Sequence, residues 1–240
     1  MLNNKKVYGI VPARGGSKGI PRKNLYRLGK DTLLERAIKL GIICPYVDHV
    51  IVSTDDQEMY EIARKYNTNS PSLRPAHLAS DNAKTQDVIL YLMNELQLKD
   101  VYIILLQPTS PLRTLDDINN IFRMFEENLD NADAIASVTK LDSPHPDKVQ
   151  KIENGYLVSY IGVESMVPRQ SLQKVYKLNG AFYLTHIDII KNLHTFMPPR
   201  TLPYLMPPER SINLDNMLDA YFLEALIEKN LVKIENLNID

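Results

Sequence analysis

The chain is short of cysteine, of net charge and of long apolar runs, and each shortage excludes a class of protein. Cys44 stands alone among 240 residues. An intrachain disulfide framework is therefore excluded, and the composition fits a reducing compartment. Lys and Arg number 28 against 29 Asp and Glu. Without a global basic field there is no argument for nucleic acid, so any attraction for anions has to be local. The longest apolar run, VYIILL, is far too short to span a bilayer. The opening MLNNKKVYG carries no secretory apolar region. These readings lead us to expect a soluble cytoplasmic protein with neither nucleic acid nor membrane as a partner. Hydrophobic residues at 44% and charged residues at 24% fall in the ordinary globular range, and the length suits one large domain with a substantial core.

Short apolar runs alternate with helical patterns through the first half. VYGIV, HVIVST, VYIILL and AIASVT read as buried strands. Between them lie four helical patterns. DTLLERAIKLGI has Asp31 or Thr32 at its N-cap, and DDQEMYEIARKYN has Asp55 and Glu58 in the places of a capping box. TQDVILYLMNELQL follows, and TLDDINNIFRMFEENL opens on Thr114. Strands alternating with helices predict an α/β fold: a mostly parallel twisted sheet with helices on both faces, Rossmann-like. Ligands of such sheets sit beyond the carboxyl ends of the strands. From about Asp142 the rhythm changes. An Asn154–Gly155 turn between strand-like runs signals a hairpin, giving a small β-rich excursion at about 142–178 within a single domain of 1–240. The proline-rich FMPPRTLPYLMPPERS reads as a tightly packed connection. NMLDAYFLEALIEKN closes the chain as a helix, by the spacing of Leu218, Tyr221, Phe222, Ala225 and Leu226.

The densest chemistry comes early, in GIVPARGGSKGIPRKN at 9–24. Glycines let backbone N–H groups approach a ligand, and Arg and Lys neutralise phosphate charge. GGSKG lacks the Gly-Lys-Ser/Thr of a Walker loop, and its glycines are misplaced for the dinucleotide fingerprint. A flexible basic turn is the plain alternative; phosphate binding is the reading the residues favour.

VPARGGSKGIPRKN closely resembles the N-terminal signature of the CMP-sialic acid synthetases (acylneuraminate cytidylyltransferases). RPAHLASDNAKT, LQPTSPLR, PRQ, NGAFY and SINLD match in the same order along nearly the whole chain. The resemblance implies transfer of CMP from CTP to the anomeric hydroxyl of a nine-carbon 2-keto sugar acid: N-acetylneuraminic acid, or a legionaminic or pseudaminic relative. It implies that Arg14 and Lys18 hold the triphosphate, with Gly15, Ser17, Lys23 and Asn24 completing the nucleotide loop. Arg74 would approach phosphate or ribose, and Ala83 and Thr85 would border the cytosine, helix capping being the alternative for these two. Gln107 and Tyr183 would contact the acceptor sugar, and Arg169 its carboxylate. Arg113 reads instead as a tie within its own loop, and Phe182 would line the sugar pocket beside Tyr183 or pack equally well in the core. The pattern at SINLD is commonly Asp-x-Asp; here it is Asn213-Leu214-Asp215, so Asp215 keeps the matching carboxylate for Mg²⁺ (or Mn²⁺) and Asn213 departs. The excursion would make a homodimer. Two other functions stay open: an eight-carbon (Kdo-type) keto-acid cytidylyltransferase, and a catalytically weak CTP-binding regulatory module.

Overall fold

The computed structural model describes residues 1–162 and 168–239, with Arg169 described for its backbone alone. Strand β1 (Val7–Pro12) runs into the glycine loop, after which β2 (Arg27–Leu28) and β3 (Asp31–Thr32) form a small ribbon. Helix α1 (Leu33–Ile43), β4 (His49–Ser53), α2 (Gln57–Lys65), α3 (Thr85–Glu95), β5 (Tyr102–Leu105), α4 (Leu115–Glu126) and β6 (Ala134–Lys140) follow. A hairpin of β7 (Gln150–Glu153) and β8 (Tyr156–Ser159) precedes the long β9 (Tyr176–His186). The chain ends through α5 (Ile187–Leu193), β10 (Thr201–Leu205) and α6 (Met217–Glu228).

Six strands form one sheet in the order β10-β6-β9-β5-β1-β4. β1 pairs in parallel with β4 and β5, and β6 with β10; β9 alone runs against its neighbours β5 and β6. The expected parallel sheet is thus present with one reversed strand. Two-residue alternation explains why it is covered twice. Val7 and Val11 of β1 and Ile104 of β5 face a core with α1, α2 and α4, centred on Phe122 and Phe125. Tyr8, Ile10, Ile103 and Leu105 face a second core with α3 and α5. Phe122 is fully buried and stacks on Tyr46 at 4.7 Å between ring centroids; truncating it to Ala would cost about 3–5 kcal/mol.

The helix starts follow the sequence closely, with one exception. Thr32 caps α1, accepting from Glu35 N at 3.2 Å, while Glu35 Oε2 accepts from Thr32 N at 2.8 Å. Thr114 and Asp117 do the same for α4. At α2 the cap is Asp56, which accepts from Met59 N at 3.0 Å, and not Asp55. Asp55 accepts instead from Gly15 N at 2.8 Å, a bond to the glycine loop that no local pattern announces.

Two further expectations are corrected. The proline-rich stretch contains a strand, β10, at the sheet's edge; Pro203 is tolerated there because an edge strand has one side without ladder partners. Helix α6 exists, but Leu218, Tyr221 and Phe222 are 76%, 58% and 57% exposed, while Ala220, Leu223 and Leu226 face inward. Those inward residues pack on Ile20 of the glycine loop and on Ile212 and Leu214 in a third, smaller core. The last helix therefore anchors the first loop. No helix among the described residues is long and apolar enough to cross a membrane.

Candidate active site

The sheet's strand order reverses at β1, which has β4 on one side and β5 on the other. Chains leaving β1 and β5 in opposite directions open a crevice at their carboxyl ends. A cleft of about 440 Å³ occupies that place. Its floor is Pro12 at the end of β1 and Gln107, Pro108 and Thr109 beyond β5. One wall is the glycine loop: Arg14, Gly16, Ser17, Lys18, Gly19, and then Lys23 and Asn24. The facing wall is Arg74, Ser80, Asp81, Ala83 and Thr85, and Asp215 closes the rim. Residues from four separated segments, singled out as nucleotide, sugar and metal residues, thus share one cavity.

Side-chain partners show what each can do. Asn24 is buried and donates to the Arg14 carbonyl at 2.9 Å, fixing the loop's return. Ser17 Oγ donates to the Ile20 carbonyl and also accepts from Lys23 N at 3.4 Å, so it shapes the loop from inside. Arg14 and Lys18 both reach one carboxylate, Asp81, at 2.7 and 2.6 Å. Lys23 Nζ lies 3.0 Å from Asp215 Oδ1. The loop's remaining cation, Arg22, is turned to Asp56 and Glu58. Three cations of the glycine loop thus line the cleft, each matched with a carboxylate.

Gly15 is not among the residues lining the cleft. Its N–H is taken by Asp55, and a Cβ there would lie 3.0 Å from Asp56 Cβ. Gly19 is the glycine that the site requires, since a Cβ on it would lie 1.8 Å from the Asp215 carbonyl oxygen. This approach seats SINLD against the first loop. A second tie, from Leu214 N to the Thr109 carbonyl at 2.8 Å, holds SINLD to the loop after β5.

Arg74 lines the cleft but is largely committed elsewhere. Nε donates to Ser53 Oγ at 3.0 Å, Nη2 to the Ser53 carbonyl at 2.5 Å, and Nη1 to the Leu78 carbonyl at 3.4 Å. Burial, opposed by Asp55, brings its pKa down to about 10, and it stays charged at neutral pH. It is a strut tying the end of β4 to the following loop. Arg113 is buried. It donates to the Ala181 carbonyl at 2.9 Å and lies 5.5 Å from the Phe182 ring centre. It thus ties its loop to β9 rather than closing the loop on itself. Phe182 is fully buried in the core, the second of its two readings.

Gln107 joins this cleft to a second cavity of about 260 Å³ that also contains Thr85, Tyr183 and Phe196. Tyr183 is half-buried, packs 5.8 Å from Phe196, and has its phenol pushed up by burial. Gly180, at φ +73°, passes beneath Gln107; a Cβ there would lie 2.9 Å from Gln107 Oε1. Arg169 belongs to a 3-10 turn at Arg169–Ser171, and its side chain lies outside the described residues.

The donor set would give a hard cation one carboxylate, with its other positions left to groups outside the protein. Among the described residues there is no cluster of three or more metal-ligating side chains. Asp215 offers one exposed carboxylate at the rim, and Mg²⁺ commonly takes one or two carboxylates plus phosphate oxygens. Asn213 does not join it as a ligand in this arrangement, because its amide nitrogen, not its oxygen, faces Asp215 Oδ2, at 2.7 Å. Its Oδ1 is buried without a partner, on the Gly180 side. Asn213 thus orients the carboxylate.

Sequence reasoning missed Asp81 and Gly19. Asp81 stood within a matched segment, but its partners are more than sixty residues away and no spacing could reveal them. Gly19 was one of three glycines in the loop, and only its contact with Asp215 sets it apart.

Fold and site together define a class: an α/β protein with a cation-lined cleft at the switch in strand order, where such folds hold nucleotides. The chain belongs to the cytidylyltransferase family, whose sequence profile matches residues 8–194. It is 28% identical over 230 residues to the CMP-N,N'-diacetyllegionaminic acid synthase of Legionella pneumophila, covering 94% of this chain and 97% of that one. It is 29% identical over 229 residues to a pseudaminic acid cytidylyltransferase of Campylobacter jejuni, covering 92% and 96%. An N-acylneuraminate cytidylyltransferase of Escherichia coli matches at 28% over 232 residues, but this chain spans only 54% of that longer protein. A CMP:2-keto-3-deoxy-manno-octonic acid synthetase solved with CTP shares the fold, with a TM-score of 0.67 at 14% identity over 94% of this chain and all of that one.

Proposed function

We propose that the protein transfers CMP from CTP to the anomeric hydroxyl of a nine-carbon 2-keto sugar acid of the legionaminic, pseudaminic or N-acetylneuraminic type. The sugar oxygen bonds to the α-phosphorus, and the bond from that phosphorus to the departing pyrophosphate breaks. Pyrophosphate leaves with the electron pair, and the proton of the hydroxyl is released to solvent. The observation that carries this reading is the convergence of Arg14, Lys18, Lys23, Gln107 and Asp215 on one cleft. Phosphoryl transfers of this kind depend on positioning and on charge stabilisation more than on covalent catalysis. Arg14, Lys18 and Lys23 supply the charge, Ala83 and Thr85 border the base, and Gln107 and Tyr183 hold the sugar.

Mg²⁺, or Mn²⁺, bound at Asp215 would neutralise the triphosphate. Asp215 would anchor it, and Lys23, freed from that carboxylate, would turn to phosphate. The nine-carbon substrate is preferred over an eight-carbon one because relatives covered over more than nine-tenths of both chains are named for nine-carbon acids; the octonic acid synthetase shares the fold only.

The hairpin supports a homodimer. Ile152, Tyr156, Leu157 and Tyr160 are 75%, 77%, 74% and 65% exposed, and β7 and β8 form a sheet of their own. An isolated two-stranded hairpin with apolar side chains uncovered on both faces, Ile152 and Leu157 on one and Tyr156 on the other, is marginal in water. A second copy of the chain is the occupant that covers it.

Pyrophosphate release from CTP and Mg²⁺, measured with each nine-carbon acid and with the eight-carbon acid, tests the function. Release with a nine-carbon acid and not with the others is expected. Release with the eight-carbon acid alone, or with none, would overturn the reading.

A further inference from the structure

We propose that Asp81 is a built-in competitor for the phosphate-binding cations, which pyrophosphate or a nucleoside triphosphate has to displace, and that it thereby weakens the protein's hold on pyrophosphate. This rests on the reading of the cleft as a CTP site. The geometry is that of an anion in place. One carboxylate uses both oxygens, Oδ1 at 2.7 Å from Arg14 Nη1 and Oδ2 at 2.6 Å from Lys18 Nζ, much as two oxygens of a phosphate would. Asp81 comes from the segment between the 3-10 turn Ala76–Leu78 and α3, on the wall facing the glycine loop. Its side chain is 48% exposed and that of Lys18 is 83% exposed, so the exchange breaks no packing. Lys18 and Arg14 hold its carboxyl below the usual range, which keeps it charged, and competing, across neutral pH.

Lys23 is matched in the same way by Asp215. A tethered carboxylate acts at an effective concentration on the order of millimolar. A singly charged anion therefore gains little by replacing it, whereas a ligand with two or three phosphates reaches several cations at once. The same competition favours departure of pyrophosphate once the α-phosphorus has been transferred.

The test is calorimetric binding of inorganic pyrophosphate, with Mg²⁺ present and at fixed ionic strength. Asp81→Asn keeps the shape and removes the charge. Its affinity for pyrophosphate should rise roughly three- to tenfold, because the binding-competent fraction of Arg14 and Lys18 increases. Asp81→Ser should do the same, and unchanged melting temperatures would show that both variants are folded. In a Lys18→Ala background the gain from Asp81→Asn should fall by half or more, since one competed cation is gone. Unchanged or weaker pyrophosphate binding by Asp81→Asn would overturn the proposal, as Asp81 would then be aiming the cations at phosphate. A gain undiminished in the Lys18→Ala background would also overturn it, because the effect would then be a field acting at a distance. Failure of the wild-type protein to make any CMP-sugar would sink the CTP reading without touching these binding results.

Discussion

Replacing Gly19 by Ala should damage catalysis far more than folding. The backbone of Gly19 needs no glycine for its dihedral angles, as it is not among the residues with positive φ. What it lacks is room: the added Cβ would sit 1.8 Å from the Asp215 carbonyl oxygen and 3.2 Å from Asn216 Cα. Real Cβ contacts essentially never fall below 3.0 Å, so the loop and the SINLD segment must part by at least the 1.2 Å difference between 1.8 and 3.0 Å. Both colliding groups are backbone, and no side chain can swing away to absorb the shift. Overpacking of this kind costs about 1–3 kcal/mol of stability, which a domain of this size survives. The same displacement carries Asp215 and Lys23 out of register, and a misplacement of about 1 Å at a reacting centre can cost 100-fold in rate. Steady-state turnover with saturating CTP and acid, alongside a thermal melt, reads both effects. Turnover within about twofold of wild type, in a folded variant, would refute the claim that this contact sets the site.

Lys18→Ala should lower turnover by about 100-fold with little change in melting temperature, since an exposed lysine packs against nothing; near-normal turnover at saturating CTP would make it a mere surface cation. Asp215→Asn should raise the Mg²⁺ needed for half-maximal activity by roughly tenfold or more, and Asn213→Asp should lower it, because a second carboxylate would replace the amide now donating to Asp215. Unchanged Mg²⁺ titrations would remove Asp215 from the metal. Tyr156→Asp with Leu157→Asp on the hairpin should shift the species seen by light scattering from twice 27.4 kDa to 27.4 kDa; a wild-type mass of one chain at micromolar concentration would exclude the dimer. Arg169→Lys should weaken binding of the sugar acid and spare that of CTP, because the planar fork is lost and the charge is kept; equal losses would move Arg169 out of the sugar pocket.

Local patterns carried most of the fold. Apolar runs of strand length and capping residues such as Thr32 and Thr114 fix elements within a few residues of themselves, so β1, β4, β5, α1 and α4 were readable. What failed depended on distant partners. Asp55 and Asp56 are equally good caps on paper, and only the Gly15 N–H, forty residues upstream, draws Asp55 away. The periodicity of α6 was right for a helix but could not say which face was inward, because nearly every side of it is apolar. Pro203 masked β10, since an edge position is a property of the sheet and not of the chain. The site divides similarly. Matched motifs brought Arg14, Lys18, Lys23, Gln107 and Asp215 to one cleft, whereas the commitments of Gly15 and Arg74 and the pairing of Asp81 needed coordinates.

The central claim is attack by the sugar's anomeric oxygen on the α-phosphorus of CTP. It is tested most directly by supplying a nine-carbon 2-keto acid labelled with ¹⁸O at the anomeric hydroxyl and following the reaction by ³¹P NMR. The expected result is one phosphodiester signal carrying the isotope shift, with unlabelled pyrophosphate formed in equal amount. A product phosphorus without the label, or release of free CMP in place of a diester, would contradict it.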